Sequence, residues 1–498
     1  MTRINDTSNV LLSQRVMNQQ NQSLNQSLQR LSTGLRINKG SDDPAGLIAS
    51  ETLRSEKTAI SAAIGNAERA DQVVNIAEGG LQEISSMLTE LQGLVSQSAS
   101  ASGLSDEEKE ANQQQIDSLL QSVDRIANTT SFQGSKLLNG SMDFQVTDQD
   151  AAVTDYQING AKLGDEGLDV EASVTQSAQH AGLVMSMDAS ELALSDAQAQ
   201  FTFEVAGAEG SREFTFGQSA SIDDMTSQIN AFKDSTGVSA ATSGTAIVLK
   251  STEYGGDQFV SVKVSDDSDQ AGGIYNLSAT DESAADTSDS TAFSAAAGGV
   301  RDEGQDVAGM INGIVARGEG TTLKVDSDAL SVDMTLTGTG AATTGTINAM
   351  TIEGGGAQFN LGPSVDMNNQ VRLGIGNIAA RELGSAATGF LDELASGQSG
   401  NVIDGDTGKA QDIVNSAVKQ VSQLRGRLGS FQKNVVGSTI NSLGVAMENI
   451  SAAESAVRDT DFAEETASMT RSQILQQAAN TAFATAKSQP QNVLGLLG

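Results

Sequence analysis

Apolar residues recur at helical spacing towards both ends of the chain and at alternating spacing in its middle. Near the N-terminus one apolar series repeats every seven residues, and a second follows three residues behind it. Residues seven apart lie on one face of a supercoiled helix, so this pattern predicts a long helix over about 53–95. The two series are Leu53, Ile60, Ala67, Val74, Leu81, Leu88 and Val95, and Ala63, Ala70, Ala77, Ile84 and Leu91.

The C-terminal part has a matching stripe, with alternating steps of four and three residues. Its members are Ala410, Val414, Ala417, Val421, Leu424, Leu428, Phe431 and Val435. A helix over 409–450 is about 63 Å long and one over 53–95 about 65 Å long, at the helical rise of roughly 1.5 Å per residue. Because the lengths match, we expect an antiparallel pair. A shorter helix that carries Ile116, Leu120 and Val123 completes one bundle.

Two weaker stripes lie at the chain ends, over about 4–33 and 455–487, and their lengths also match. Their members are Val10, Met17, Leu24, Leu28, Leu31 and Leu35, and Ala463, Ala467, Ile474, Leu475, Ala478, Ala482 and Ala486. We therefore expect two nested antiparallel helix pairs in an elongated molecule. No third element covers the far sides of the outer pair, and burying each Leu, Ile or Met is worth about 1.5–3 kcal/mol. The pattern predicts self-assembly through these ends.

The middle of the chain alternates apolar and polar residues, which is typical of strands. The alternating segments are 200–207, 212–217, 245–252, 258–265, 321–327 and 330–338. One short helix is predicted at 223–237, and 278–299 reads as an acidic, low-complexity loop. The chain is thus expected to be α+β, with a β-rich insert between terminal helices.

Charge separates the middle from the ends. The chain has a formal net charge of -34, and residues 141–400 hold 38 acidic and 10 basic residues. This sign is wrong for binding phosphate backbones, so nucleic acids and anionic membrane surfaces are not expected partners. No apolar run is long enough to span a membrane, and the N-terminus lacks the apolar core of a cleaved secretory signal.

Candidate chemistry is sparse. The chain has no cysteine and one histidine, His180, which is expected at the surface; thiolate metal sites and the two-histidine HExxH helix are therefore excluded. GIGNIAA at 374–380 matches a dinucleotide-binding turn but no βαβ unit follows. IDGDTGK at 403–409 resembles the start of a calcium loop, although helix capping explains it better. We expect no catalytic, cofactor-binding or metal-binding residues.

Both ends of the chain resemble bacterial flagellin. Residues 27–56, SLQRLSTGLRINKGSDDPAGLIASETLRSE, match the family's N-terminal signature, including Arg36, Asn38, Asp42 and Asp43. Residues 423–434, 441–478 and 492–498 match its C-terminal signature. Residues 229–238 and 306–323 resemble insert motifs of flagellin outer domains.

The resemblance implies a structural subunit that self-assembles into the flagellar filament, the propeller for swimming. Residues 1–44 with 452–498 would form the inner coiled-coil domain, and 45–165 with 355–451 the surrounding helical-bundle tube with a β-hairpin. Residues 166–354 would form the acidic outer insert. The inner-core assembly residues would be those of the two terminal stripes. The bundle core would consist of Leu53, Ile60, Val74, Leu81, Leu88, Leu91, Leu424, Leu428 and Phe431.

The resemblance also implies partners. Besides copies of itself, these are hook–filament junction and cap proteins and an export chaperone, with secretion through the flagellar type III channel to the cell exterior. The chaperone would contact Val493, Leu494, Leu496 and Leu497. The family's immune-receptor surface maps to Leu88, Glu90 and Leu94, where Glu90 replaces the arginine of strongly stimulating flagellins.

Two alternatives remain at this point. The hook–filament junction protein shares the terminal architecture but is present in few copies. The acidic insert could serve as an adhesin or as a glycan-bearing surface.

Overall fold

A computed structural model gives the fold. It describes residues 8–497, except 101–104, 165–166, 188, 195, 197, 279–280, 328 and 387. The side chains of residues 9, 281–283 and 287–289 and those from residue 489 onward are not described. Among the described residues, no helix is both long and apolar enough to cross a bilayer.

Long helices occupy both ends of the chain, as the apolar stripes predict. The α-helices are α1 (Ser8–Thr33), α2 (Pro44–Ser98), α3 (Asp106–Thr129), α4 (Ile222–Asn230), α5 (Lys233–Thr236), α6 (Gly338–Ala342), α7 (Thr407–Ser430), α8 (Gly437–Arg458) and α9 (Phe462–Leu497). Short 3₁₀-helices span Phe293–Gly298 and Leu391–Leu394, and a π-helix spans Phe431–Val436.

Polar residues fix where these helices begin. Ser105 and Glu108 form a reciprocal capping box at the start of α3. The Asp406 carboxylate accepts the N–H of Gly408 at 2.9 Å, in the first turn of α7. The IDGDTGK segment therefore acts as a helix cap, the interpretation favoured over a calcium loop.

The chain forms two compact units. The first comprises residues 1–71, 360–365 and 431–498, and the second comprises 72–359 and 366–430. In the first unit the N-terminal part of α2 runs antiparallel to α8, with ion pairs Lys57–Glu454 at 3.1 Å and Glu51–Arg458 at 2.9 Å.

In the second unit the remainder of α2 runs antiparallel to α7. Glu78 pairs with Arg425 at 2.8 Å, and Gln92 donates to Asn415 at 2.8 Å. Most positions of the apolar stripes of α2, α3 and α7 in this unit are buried, among them Leu81, Ile84, Leu88, Leu91, Ile116, Val123 and Leu428. Gln113, which is also buried, donates to the carbonyl of Leu394 at 2.8 Å and so fastens α3 to the 3₁₀ segment.

The π-helix interrupts the apolar repeat of the C-terminal helices. Before the π-helix, Val421 and Leu428 are seven residues apart and buried. At its last residue, Val436, the series resumes; Val436 is 1% exposed, whereas Val435 is half-buried. The step from Leu428 to Val436 is one residue longer than a heptad. A π turn holds more residues than an α turn and absorbs such an insertion locally. The prediction of an uninterrupted helix with Val435 in its stripe is therefore wrong.

The middle of the chain is built from strands, and those predicted by alternation are confirmed with ends shifted by at most two residues. The strands are β1 (Ser131–Phe132), β2 (Ser135–Lys136), β3 (Phe144–Thr147), β4 (Val153–Ala161), β5 (Leu168–Gln176), β6 (His180–Met187), β7 (Gln200–Gly207), β8 (Gly210–Gly217), β9 (Val238–Ser243), β10 (Ala246–Tyr254), β11 (Phe259–Asp266), β12 (Gly272–Ser278), β13 (Asp281–Ala292), β14 (Val300–Glu303), β15 (Ala308–Ile311), β16 (Ile314–Glu319), β17 (Thr322–Asp326), β18 (Leu330–Leu336), β19 (Gly345–Gly355), β20 (Ala357–Asn360), β21 (Gln370–Leu373), β22 (Gly384–Ser385) and β23 (Gly389–Phe390).

We call residues 144–176 and 308–355 the proximal module. Its strands form one antiparallel sheet in the order β3-β19-β5-β15-β16-β17-β18-β4. Its core contains Val170, Ile311, Leu323, Val332 and Ile352. Because β3 and β4 belong to this sheet, the predicted insert border between residues 165 and 166 is wrong: it divides a single hydrogen-bonded sheet, and the insert begins at Phe144.

We call residues 180–303 the distal module. It has a five-stranded sheet, β13-β12-β6-β10-β9, and a four-stranded sheet, β14-β11-β7-β8. Phenylalanines of the alternating segments fill the core between them; the Phe201 ring lies 5.3 Å from that of Phe203 and 5.1 Å from that of Phe293. The acidic segment 278–299 contains β13 and a 3₁₀-helix, so the prediction of a loop there is wrong: Phe293 and Ala296 are buried in this core.

A one-residue deletion tests the interpretation of the π-helix. Deleting the exposed Lys433 should let α7 run into α8 as α-helix with the stripe in phase, so the helices should unfold within a few degrees of the parent temperature. Deleting the exposed Ser422 instead displaces Leu424, Leu428 and Phe431 from the buried face. At about 1.5–3 kcal/mol each and roughly 2–4 °C per kcal/mol, the midpoint should fall by about 10 °C or more.

Circular dichroism at 222 nm measures both midpoints. Equal destabilisation by the two deletions would contradict the assignment of an extra residue to the π-helix.

Asp302 gives a pH-dependent prediction for the distal module. Its carboxylate is half-buried in β14 and accepts the N–H of Gly182 at 2.8 Å; burial raises its pKa, and this outweighs the lowering by the hydrogen bond. A raised folded-state pKa means that stability is lost as the pH rises from the unfolded-state value of about 3.9 through the folded-state value. Asp302→Asn should therefore unfold at a higher urea concentration than the parent at pH 7.

The advantage of Asp302→Asn should shrink as the pH falls through the folded-state pKa, because the parent carboxyl then becomes protonated. The exposed Asp257→Asn is the matched control and should unfold at the urea concentration of the parent at pH 7. An Asp302→Asn variant less stable than the parent at pH 7 would refute the argument.

Candidate assembly surfaces

Helices α1 and α9 pack antiparallel in the first unit through a seam of polar and small residues. Arg30 pairs with Glu465 at 3.5 Å, and Gln476 donates to the Asn21 side chain. Glu465, Ser472 and Ala479, spaced seven apart, are buried in α9, as is Ser27 in α1. The seam therefore specifies which helices pair and in which register. It buries few large apolar side chains.

The predicted stripe of α1 is divided between the seam and the outside. Five of its residues are half-buried: Val10, Met17, Leu24, Leu31 and Leu35. Leu28 is 47% exposed, and three apolar residues outside the predicted stripe are exposed as well: Leu11, Leu12 and Val16. Sequence reasoning missed these three because they lie outside the seven-residue frame of Val10, Met17 and Leu24.

The predicted stripe of α9 lies almost wholly on the face away from α1. Ala467, Ile474, Leu475, Ala478 and Ala482 are exposed, with Ile474 at 62%, and Ala486 is half-buried. At 100° per residue, Ile474 is about 200° around the helix from the buried Ser472. We define the α9 outer face as Ala463, Ala467, Ile474, Leu475, Ala478 and Ala482.

The signature residues build the corner between α1 and α2. The Asp42 carboxylate accepts the backbone N–H groups of Asn38 at 3.0 Å and Lys39 at 2.9 Å, and these two hydrogen bonds lower its pKa. Asp43 accepts the N–H of Gly46 at 2.9 Å and so caps α2. The corner is a hydrogen-bonded turn that stays charged and fixed at neutral pH.

The same corner is joined to the turn between α8 and α9. Arg36 donates its backbone N–H to the Arg458 carbonyl at 2.7 Å and its Nη2 to the Val457 carbonyl at 2.7 Å. Thr460 N–H donates to the Gly34 carbonyl at 2.9 Å. Arg36 thereby satisfies carbonyl groups at the C-terminal end of α8, where a cation is favourable. The signature positions set the geometry of both terminal helices.

The predicted bundle-core residues are buried, apart from Leu53, which is half-buried. Of the predicted immune-receptor surface only Glu90 is exposed, since Leu88 is fully buried and Leu94 is 9% exposed. Leu88 and Leu94 are therefore core residues and offer no contact to a protein docking on this chain. The predicted chaperone contacts, Val493, Leu494, Leu496 and Leu497, have side chains outside the described residues.

His180 is not a free surface residue as expected. It is half-buried at the start of β6, its Nδ1 lies 3.1 Å from the Glu253 carbonyl oxygen, and its ring centroid lies 3.7 Å from that of Tyr254. The residue is thus part of a packed contact within the second unit.

A polar cavity of about 440 Å³ lies in the second unit. Arg427, Asp143 and Asp333 line it; burial raises the pKa of both carboxyls and lowers that of the guanidinium. Acidic and basic side chains both line this cavity, and among its described lining residues no nucleophile is paired with a general base. In the part of the chain that the structure describes, no three acidic or histidine side chains are grouped to hold a metal ion.

Comparisons with known proteins match the ends of the chain to family models. The model of the bacterial flagellin N-terminal helical region matches residues 4–143, and that of the C-terminal helical region matches 411–497. A model of the flagellin hook IN motif matches 200–253, in agreement with the motif noted at 229–238.

Curated relatives cover nearly the whole chain. Flagellin B of Helicobacter pylori is 30% identical over 538 residues, with 99% of each chain covered. Flagellin of Salmonella choleraesuis is 28% identical over 519 residues, again with 99% of each covered. A solved structure of FliC from Burkholderia pseudomallei covers 73% of this chain and 99% of its own, at 17% identity and a TM-score of 0.23.

Proposed function

This chain belongs to the bacterial flagellin family and is a structural subunit of the flagellar filament. We propose that its copies assemble through the α9 outer face and through the exposed apolar residues of α1, which are Leu11, Leu12, Val16 and Leu28. The observation that carries this proposal is the exposure of large apolar side chains on helices whose own pairing seam is polar. Ile474, Leu475 and Leu28 are 62%, 44% and 47% exposed. Contact with other copies would remove this surface from water.

We assign each part of the fold a place in the filament. Residues 1–44 with 452–498 would form the filament core, and the α2, α3 and α7 bundle the tube around it. The proximal and distal modules would project outward, which suits their acidity: a surface of one charge sign stays solvated and resists non-specific association. The chain's work is mechanical, and it transmits torque as thrust without making or breaking bonds.

The proposed partners are, besides the chain itself, the hook–filament junction and cap proteins at the filament ends and an export chaperone that binds the C-terminal segment. The proposed location is the cell exterior, reached by flagellar type III export. The alternative role of a junction protein is less well supported, because relatives named flagellin cover the chain from end to end.

A charge on the α9 outer face should block assembly without unfolding the chain. Ile474→Asp replaces an exposed side chain, so the monomer's stability should change by no more than about 0.5 kcal/mol. Loss of about 1.5–3 kcal/mol of apolar burial per contact should raise the critical concentration for polymerisation about ten-fold or more, since 1.4 kcal/mol is a factor of ten. Sedimentation and electron microscopy after ammonium sulfate addition measure it.

The matched control is Asn480→Asp, which adds the same charge at an exposed position about 120° around the helix from Ile474. It should assemble nearly as the parent does. Normal polymerisation of Ile474→Asp would refute the α9 outer face as an assembly surface.

Removing both modules should leave assembly intact. The Gly356 N–H donates to the Asp143 carbonyl at 3.0 Å, so the ends of the excised segment are adjacent and a Gly-Gly link can replace 144–355. The expected product is a thinner filament in electron micrographs. A variant that keeps the parent's helical circular dichroism but fails to polymerise would show that the modules carry essential contacts.

A further inference from the structure

The distal module is inserted into the proximal module, and two short segments connect them. Residues 177–179 lead from β5 into β6, and residues 304–307 lead from β14 back to β15. The turn 255–258, between β10 and β11 of the distal module, reaches the same place. We call these three segments, together with Tyr254, the joint.

The two connecting segments pair with each other. Gln179 N–H donates to the Gln305 carbonyl at 2.9 Å, and Gln305 N–H donates to the Gln179 carbonyl at 3.0 Å. The Gln305 side chain adds a hydrogen bond to the Ser177 carbonyl at 2.8 Å. The two linkers are therefore hydrogen-bonded to each other through their backbones and do not connect the modules independently.

One carboxylate fastens the two modules together. Asp306 Oδ1 accepts the N–H of Gly256 in the distal module at 3.0 Å and that of Gly320 in the proximal module at 2.8 Å. The backbones approach closely there: Gly255 has a φ of +124°, and a Cβ on it would lie 2.9 Å from Asp306 Oδ1 and 3.0 Å from the Gly320 Cα. Only glycine fits this position without displacement.

One aromatic side chain crosses between the two cores. Tyr254 is the last residue of β10, yet it packs against the hydrophobic core of the proximal module. The His180 ring covers its other side, at 3.7 Å between centroids. Tyr254 thus anchors the turn 255–258 in a position that the linkers alone would not define.

We propose that this joint is rigid and fixes the distal module in a single orientation on the proximal module, with Tyr254 and Asp306 as its positioning residues. Paired linkers, a shared carboxylate and a half-buried aromatic ring all constrain the contact between the two modules. The rigidity of the joint is a property of a single chain, so it can be tested separately from filament assembly.

The chain has no cysteine, so introduced cysteines can be spin-labelled without removing any native one. The replacements Ser211→Cys in β8 and Thr346→Cys in β19 introduce two spin-label sites at exposed positions, one in each module. Double electron–electron resonance on the full-length monomer then measures the distance distribution between the labels. A rigid joint predicts a single narrow peak.

Tyr254→Ala and Asp306→Ala should each broaden that peak at least two-fold. Tyr275→Ala is the control for the aromatic residue, since Tyr275 lies half-buried in β12 of the same module. Asp234→Ala is the control for the carboxylate, since Asp234 is exposed in α5 of the same module and lies outside the joint. Both controls should keep the parent width. Amide exchange of β7 and β10 should stay slow in each variant, which shows that the distal module remains folded.

A broad distribution in the parent, or an unchanged width in both joint variants, would overturn the proposal. If Tyr254→Ala unfolds the distal module, Asp306→Ala decides, because the Asp306 side chain belongs to neither hydrophobic core. Equal broadening of the distance distribution by a joint variant and its control would also overturn the proposal. The orientation of the distal module would then depend on general stability and not on Tyr254 and Asp306.

Discussion

Burial of the apolar stripe of α2 is the interaction on which the rest of the molecule depends. Its members from Ile60 to Val95 are almost completely inaccessible to solvent, although only 38% of the chain is hydrophobic and only 3% is aromatic. A helix of this length gains little from intrinsic propensity and is stable because its apolar face is covered. The corner at residues 34–43 and the modules beyond residue 143 are held in place by elements that this burial orders.

The terminal helices follow a different rule. The seam between α1 and α9 is built from hydrogen bonds, one ion pair and small residues, which favour one register at modest stability. Several of their large apolar side chains, Leu28, Ile474 and Leu475 among them, remain exposed. A polar seam with apolar outer faces is suited to a subunit that must pair its own ends and still have surface left for its neighbours.

Sequence periodicity predicted the long helices, six of the strands and the α+β class, because burial on one face leaves a spacing of seven or two. Periodicity did not predict features that depend on a single inserted residue or on polar contacts. The extra residue before Val436 shifts the apolar stripe by a single position. The seam residues Glu465, Ser472 and Ala479 are polar or small, so a search for apolar periodicity does not find them. The insert border failed for another reason: β4 pairs with β18, and no local pattern records a partner so distant in sequence.

The pairing of Asn21 with Gln476 joins residues 455 positions apart. At a synthesis rate of about 5–20 residues per second, the N-terminal helix waits roughly 20–90 s for its partner to emerge from the ribosome. Contacts so distant in sequence form late and carry a large loop-closure cost. The nascent chain therefore has a long interval in which its ends are unpaired, and the order of synthesis itself delays completion of the fold.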